Sequence, residues 1–154
     1  MVKNILIRKG ERRLEATLRD GETVTFPVAV GSDAKGPKMR EGDRRTPEGD
    51  YFVFARNPKS RFHLSLALSY PNAEDARRGA REGIISQADA EAIARLAAAG
   101  ERPPQKTPLG GEIYIHGGGS GRDEGTQGCI GLEDGDIEWL FERVEVGTPV
   151  RILP

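Results

Sequence analysis

The chain has a single cysteine, Cys129, and one of its two histidines, His116, precedes that cysteine within a glycine-rich stretch. A deprotonated cysteine is a strong nucleophile, and a nearby imidazole can take the proton from its thiol. The β-rich run of residues 113–115 predicts a strand that carries His116 to the mouth of the loop ending at Cys129. These two residues therefore predict the nucleophile and the general base of a covalent reaction.

The loop between His116 and Cys129 is rich in glycine, which lets the backbone turn tightly and expose its N–H groups. We expect the N–H groups near Gly128 and Cys129 to face a developing oxyanion. The glycines lack the GxGxxG and GxxxxGK-S/T spacings, so the sequence does not predict a phosphate site. The predicted loop glycines are Gly117, Gly118, Gly119, Gly121, Gly125 and Gly128.

Simpler interpretations of the same residues stay open. A lone cysteine is most often a small buried hydrophobe, and a histidine after a strand is commonly structural. A zinc site built from His63, His116, Cys129 and an acidic residue is another alternative, although no CxxC or HExxH spacing supports it. For His63 we expect a structural role, because its strand neighbours are apolar. A non-catalytic wall-binding module is the last alternative, and it predicts an inert thiol.

Several segments together resemble the L,D-transpeptidase catalytic domain family. The family signature is similar to His116-Gly117, a glycine-rich spacer and then Thr126-x-Gly128-Cys129-Ile130. Residues 42–51 resemble the family's TPxGxY motif, and residues 62–65 and 69–72 resemble two segments typical of one branch of the family. Residues 147–152 are similar to the family's last strand. The resemblance covers nearly the whole chain in order, which makes it more specific than any single motif.

The resemblance implies acyl transfer on peptidoglycan stem peptides. Cys129 would attack the carbonyl of meso-diaminopimelate or a similar residue, a terminal D-amino acid would leave, and an amine acceptor or a wall-linked protein would take part. His116 would act as base and then as proton donor, with the Gly117 carbonyl fixing its tautomer. The family reacts with carbapenems at this cysteine and requires no metal or organic cofactor. Substrate contacts are expected from Thr126, Gln127, Tyr70 and Gly131.

Gly131 departs from the family pattern, which has arginine two residues after the cysteine. A guanidinium at this position could bind a substrate carboxylate or stiffen the loop, and glycine can do neither. The branch with the Ser69–Asn72 segment also includes hydrolases. The alternative function is therefore a cell-wall cysteine peptidase or amidase that uses water to release peptidoglycan-linked peptide or protein.

Composition narrows the partners and the compartment. The 154 residues carry 23 basic and 24 acidic side chains, so a net charge of −1 gives no general attraction to nucleic acid or anionic membranes. No apolar run predicts a transmembrane segment, and the first residues show no signal peptide. The family resemblance nevertheless implies the periplasmic or cell-wall side, and we expect Met1 to stand where a leader was removed.

Alternating apolar residues predict a mainly β, α+β fold: one catalytic domain over residues 1–154, with an antiparallel, sandwich-like sheet and peripheral helices. The first three strands predict a meander, with Pro27 at an edge. A turn is expected at Asn57–Ser60. The predicted strands cover residues 2–8, 12–19, 23–30, 50–56, 62–69, 113–115, 129–132 and 148–153, and the predicted helices begin near residues 71, 86 and 134.

Overall fold

The structure is a computed structural model that describes residues 1–33, 35–120 and 125–154. Within these residues it contains eight strands and three helices, and the strands carry most of the core. The strands are β1 (Val2–Arg8), β2 (Arg13–Leu18), β3 (Thr23–Pro27), β4 (Gly49–Ser60), β5 (His63–Leu68), β6 (Tyr114–His116), β7 (Ile130–Gly131) and β8 (Pro149–Leu153). The helices are α1 (Ala73–Arg81), α2 (Gln87–Ala98) and α3 (Asp134–Phe141).

All eight strands join one mixed sheet in the order β3-β2-β1-β8-β4-β5-β6-β7. The predicted meander of β1 to β3 is confirmed, and β3 with Pro27 lies at an edge. The mainly β, α+β class is also confirmed. The expectation of a purely antiparallel sheet is wrong in two places, because β1 pairs with β8 and β6 with β7 in parallel. Parallel neighbours depend on long crossover connections that local sequence patterns do not reveal.

The sheet curls around a core that is formed by alternate residues of its strands. Ile5 and Ile7 of β1 and Leu14 of β2 are fully buried, as the period of two predicts. Helix α3 adds Ile137 and Leu140 to the same cluster. Burying each such side chain contributes roughly 1.5–3 kcal/mol. The curl also brings the residues after β3 back to β7, so that the two ends of the sheet meet.

The turn between β4 and β5 lies later in the chain than its sequence predicts. Asn57–Ser60 belongs to β4, and the pair Ser60↔His63 encloses a two-residue turn of Arg61 and Phe62. Asn57 and Pro58 are residue types that favour a turn. In the structure they stay within β4, and the pairing of β4 with β5 is irregular between Asn57 and Ser60. The observed turn matters for function, because it places Phe62 at the tip of the β4–β5 hairpin.

Helices α1 and α2 pack against each other beside the sheet around a second, smaller apolar cluster. Asn72 caps α1 with a reciprocal capping box to Asp75, and Tyr51 of β4 donates a 2.7 Å hydrogen bond to the same carboxylate. Ser86 caps α2 as predicted, by accepting from the Asp89 N–H. Helix α3 begins after Glu133 rather than after Asp134 or Asp136.

Part of the segment between β3 and β4 is buried. Thr46 and Lys38 are at most 3% exposed. Lys9, at the end of β1, is 2% exposed and donates to the carbonyls of Gly36 and Thr46 and to Glu48. A buried ammonium with three acceptors ties the loop to the sheet, since its charge is compensated there.

Candidate active site

Strands β6 and β7 place the two predicted reactive residues on one face of the sheet. Ile115 pairs with Ile130, and His116 pairs with Gly131. Because side chains alternate along a strand, the buried isoleucines face the core and His116 shares the opposite face with Cys129. One step back in the same register, the Tyr114 N–H lies 3.4 Å from Cys129 Sγ. The imidazole and the thiol are therefore diagonal neighbours on adjacent strands.

The His116 ring is held from two directions. Its side chain is 2% exposed, and Nδ1 lies within hydrogen-bonding distance of the Gly117 carbonyl oxygen. A carbonyl can only accept, so Nδ1 carries the hydrogen and Nε2 is the basic nitrogen of the neutral ring. The Phe62 ring stacks on the imidazole with centroids 4.5 Å apart. This geometry fits the expected role of Gly117 as the group that fixes the tautomer.

Cys129 is partly exposed, and its thiol donates to the carbonyl of Glu112 at 3.4 Å. Glu112 has a φ of 56°, a left-handed conformation that costs a non-glycine residue about 1–2 kcal/mol. Gln105 holds it there by accepting the Glu112 N–H at 2.9 Å. The strained residue thus points its carbonyl at the sulfur, while the Tyr114 N–H offers a donor to the thiolate.

Thr126 is 5% exposed and shapes the turn before the cysteine rather than facing a ligand. Its hydroxyl donates to the Cys129 carbonyl at 2.6 Å and accepts the Gly128 N–H at 3.0 Å. The sequence predicts that the Gly128 N–H donates to an oxyanion. In the structure this N–H is already bonded to Thr126, and it would have to give up that bond first. Gly128 is needed sterically, since its φ is 136° and a Cβ would lie 2.8 Å from the Arg45 carbonyl oxygen.

Two predicted substrate contacts are corrected. Tyr70 is fully buried and donates to the Leu109 carbonyl at 2.6 Å, so it belongs to the core and not to a ligand surface. Gly131 exchanges two backbone hydrogen bonds of 2.9 Å with Ala29. A Cβ at Gly131 would lie 2.8 Å from the Gly119 carbonyl oxygen, which covers the place where the family carries arginine. Among the predicted loop glycines, Gly121 lies outside the described residues.

Gln127 is exposed and lines a groove of ≈ 340 Å³ that contains Cys129. This groove, here called the thiol groove, has both acidic and basic walls. Its charged residues are Lys38, Glu41, Arg44 and Glu112. Lys38 is already bonded to Asp43 at 2.9 Å and Arg44 to Ser32 at 2.7 Å. With two glutamates and two basic residues, the thiol groove has a balanced set of charges.

Tyr114 separates the thiol groove from a second groove over β4, β5 and β6. Burial, followed by the charges of Glu112 and Cys129, raises the pKa of the Tyr114 phenol, so its hydroxyl stays protonated as a donor.

His63 lies away from this site, on the surface. Its Nε2 is 2.8 Å from Glu138 of α3, and its side chain is 43% exposed. No group of three histidine, cysteine, aspartate or glutamate residues within the described chain could hold a metal ion. Likewise, no helix among the described residues is long and apolar enough to cross a membrane.

Sequence reasoning missed the residues that hold His116 and Cys129 in place. Thr46, Phe62, Gln105 and Glu112 each contact the site or its loop, yet none stands out by type. The family-like segments at residues 42–51 and 62–65 were the available signals for Thr46 and Phe62. For Gln105 and Glu112 the sequence offers no signal, because their role depends on backbone conformation.

The family model of the L,D-transpeptidase catalytic domain matches residues 3–152. The chain belongs to this family. Among curated L,D-transpeptidases it is similar to putative L,D-transpeptidase YafK of Escherichia coli K12, at 37% identity over 49% of this chain and 33% of that protein. It is also similar to probable L,D-transpeptidase ErfK/SrfK of the same strain, at 28% identity over 98% of this chain and 44% of that protein.

Solved L,D-transpeptidase-like structures share the fold. The helical cell shape determining protein Pgp2 of Campylobacter jejuni superposes with a TM-score of 0.66 at 26% identity, over 98% of this chain and 47% of that one. An L,D-transpeptidase from Mycobacterium smegmatis gives a TM-score of 0.55 at 14% identity, over 97% of this chain and 58% of that one. The chain thus spans between a third and three fifths of the length of these relatives.

Proposed function

We propose that the protein is a peptidoglycan-modifying acyltransferase, an L,D-transpeptidase that works through a thioester on Cys129. The observation that carries the proposal is the shared face of His116 and Cys129 on adjacent strands of a chain that belongs to this family. A buried imidazole of defined tautomer beside a partly exposed thiol is the arrangement that nucleophilic cysteine catalysis requires.

In the first half-reaction, Nε2 of His116 takes the thiol proton and Sγ of Cys129 attacks a carbonyl carbon of the stem peptide. The tetrahedral intermediate collapses with cleavage of the C–N bond, and the imidazolium gives its proton to the leaving D-amino acid. In the second half, an acceptor amine attacks the thioester and passes a proton to His116. The thiolate leaves and is protonated again, which restores the enzyme.

Two backbone groups support these steps. The Gly117 carbonyl next to Nδ1 stabilises the imidazolium that forms in each half-reaction. We assign the Cys129 N–H to the oxyanion, with the Gly128 N–H joining only if it leaves the Thr126 hydroxyl. Removing one oxyanion donor typically costs about 3 kcal/mol of transition-state stabilisation.

Transfer is ranked before hydrolysis because the chain belongs to a family of transpeptidases. Glu41 and Glu112 line the thiol groove together with Lys38 and Arg44, so its charges balance and do not themselves favour either acceptor. Gln127, exposed at the same groove, is the proposed hydrogen-bonding contact to the acceptor.

Hydrolysis is the second candidate, and Gly131 is the observation that favours it. No side chain at this position shields the thioester, and Cys129 is partly exposed. Water could then reach the acyl carbon and release peptide, or a protein attached to peptidoglycan.

The proposed place of action is the periplasmic or cell-wall side of the membrane, where peptidoglycan lies. A role in cell shape is included, because Pgp2, a similar protein, is described as a helical cell shape determining protein.

The test is incubation of the protein with purified muropeptides and a large excess of an amine acceptor, followed by mass spectrometry. Cross-linked or amine-exchanged product supports transfer. Shortened peptide alone at every acceptor concentration supports the hydrolase. No change in any muropeptide, with the parent protein folded, removes both assignments.

A further inference from the structure

The second groove beside Tyr114 has a charge unlike that of the thiol groove. It has a volume of ≈ 330 Å³, and among the described residues no aspartate or glutamate lines it. Two arginines, Arg61 and Arg102, stand on its walls, and its other polar groups are uncharged amides and hydroxyls. We call it the arginine groove. A concave surface with two cations and no anion favours a negatively charged ligand.

Both guanidinium groups are available to a ligand. Arg61 and Arg102 are exposed, and within the described part of the chain neither forms an ion pair. Arg61 lies 5.0 Å from the centroid of the Phe62 ring, and Arg102 lies 5.4 Å from that of Phe54. Stacking on an aromatic face restrains the planar group while its N–H donors stay open for a carboxylate.

The arginine groove is lined by two residues that contact His116 and Cys129. Phe62 stacks on the His116 ring at 4.5 Å, and Tyr114 donates its N–H to Cys129 Sγ. Both Phe62 and Tyr114 line the groove. A peptide bound there would enter the site from the β4–β5 hairpin, away from the thiol groove.

Position 131 offers no cation to a substrate carboxylate. It is a glycine, and a Cβ there would lie 2.8 Å from the Gly119 carbonyl oxygen. A stem peptide carries several carboxylates, and each needs a compensating partner when it leaves water. Arg61 and Arg102 are the cations in the arginine groove that can supply this partner.

We propose that Arg61 and Arg102 form a carboxylate-binding subsite for the peptide donor, in the arginine groove beside His116. The proposal rests on the proposed function, since it names how the same site recognises its substrate. Two sources share the chemistry: the terminal carboxylate of the leaving D-amino acid and a carboxylate within the stem.

The test measures binding without turnover. Cys129→Ala protein is titrated by calorimetry with a tetrapeptide stem and with its C-terminal amide, and Arg61→Gln and Arg102→Gln are each added to that background. Each arginine variant should weaken binding of the acid by roughly three- to tenfold, since a charged hydrogen bond is lost at a partly solvated site. Arg95→Gln, an exposed arginine on α2, is the matched control and should change nothing.

The two ligands separate the sources of the carboxylate. If the terminal carboxylate binds, the parent prefers the acid and the arginine variants lose that preference. If an internal carboxylate binds, the variants lose affinity for both ligands equally. Unchanged affinity in both arginine variants, or an equal loss in Arg95→Gln, overturns the subsite and leaves the proposed function standing. Failure of the Cys129→Ala parent to bind either peptide overturns both.

Discussion

The Thr46 hydroxyl donates a 2.8 Å hydrogen bond to the carbonyl of Gly128, although 82 residues separate the two. The same hydroxyl accepts the Gly31 N–H at 2.8 Å, and Thr46 has no exposed surface. One buried side chain therefore joins the segment after β3 to the turn that leads into Cys129. The position of Cys129 depends on this contact, because Gly128 precedes it directly.

Thr46→Val should lower the free energy of unfolding by about 2–3 kcal/mol, since it leaves two buried backbone groups without a partner. It should also slow alkylation of Cys129, because the turn loses its anchor. Denaturant unfolding and the rate of thiol modification measure the two effects. Thr46→Ser keeps the hydroxyl and is the control; a loss as large in the serine variant would mean that the methyl group, not the bond, matters.

Cys129→Ala should abolish turnover and leave the unfolding midpoint close to that of the parent, because the hydrogen bonds of the thiol with Glu112 and Tyr114 are long, at 3.4 Å. A carbapenem should add its mass to the parent protein and not to the variant. Intact-protein mass spectrometry gives the answer. An adduct that persists on Cys129→Ala would place the nucleophile at another residue.

His116→Ala should reduce the rate of acylation by about 10²–10⁴, the usual contribution of a general base. His63→Ala is the matched control, because His63 is on the surface and contacts Glu138 instead of the site. The measurement is single-turnover acylation of both variants. Activity lost in a folded His63→Ala protein but kept in His116→Ala would mean that the roles are assigned to the wrong histidines.

Asp43 should make stability depend on pH in the acid range. Burial favours a higher pKa for this carboxyl, but hydrogen bonds from the Met39 amide, the Lys38 ammonium and further amides outweigh it, and the pKa is lowered from 3.8. With the folded pKa below the unfolded one, the ionised carboxylate stabilises the fold above that unfolded value. The stabilisation is lost as pH falls through the lowered pKa.

The corresponding experiment compares the parent with Asp43→Asn by denaturant unfolding between neutral pH and about pH 2. The difference in unfolding free energy should be largest near neutrality and should shrink in acid. Asp20→Asn, in the exposed turn between β2 and β3, controls for the general loss of one negative charge. A constant difference across the pH range would contradict the role of the ionised carboxylate.

Gly131 can be tested for its effect on the fate of the thioester. Gly131→Ala should lower stability by about 1–3 kcal/mol, since its Cβ approaches the Gly119 carbonyl within 2.8 Å. Gly131→Arg adds a guanidinium to the same steric change. The ratio of amine-exchanged to hydrolysed product should rise in the arginine variant relative to the alanine variant. Equal ratios in the two would show that position 131 does not control the partition.

The sequence predicts those elements whose signal is local. The meander of β1 to β3 follows from alternation and the Asp20-Gly21 turn, and the start of α2 follows from the Ser86 cap. Prediction from the sequence fails where contacts between distant segments outweigh the local signal. The turn signals at Asn57 and Pro58 yield to strand register, and the parallel place of β8 between β1 and β4 has no local signature.

The candidate site likewise contains residues that the sequence predicts and residues that it does not. His116 and Cys129 stand out because their residue types are rare here and chemically reactive. Tyr70 looked equally suitable for a ligand, but only the packing shows that its hydroxyl is used within the core. Residues that act through backbone geometry, such as Glu112, gain their meaning from a φ value that no pattern encodes.

The central place of β8 has a consequence for how the chain folds. The β1 to β3 meander and the β4 to β7 half, which contains Cys129, are joined in the sheet through β8. During synthesis both halves leave the ribosome before β8 does, so each waits with an open edge until that strand inserts. Thiol reactivity at Cys129 would then develop late, after the final strand has closed the sheet.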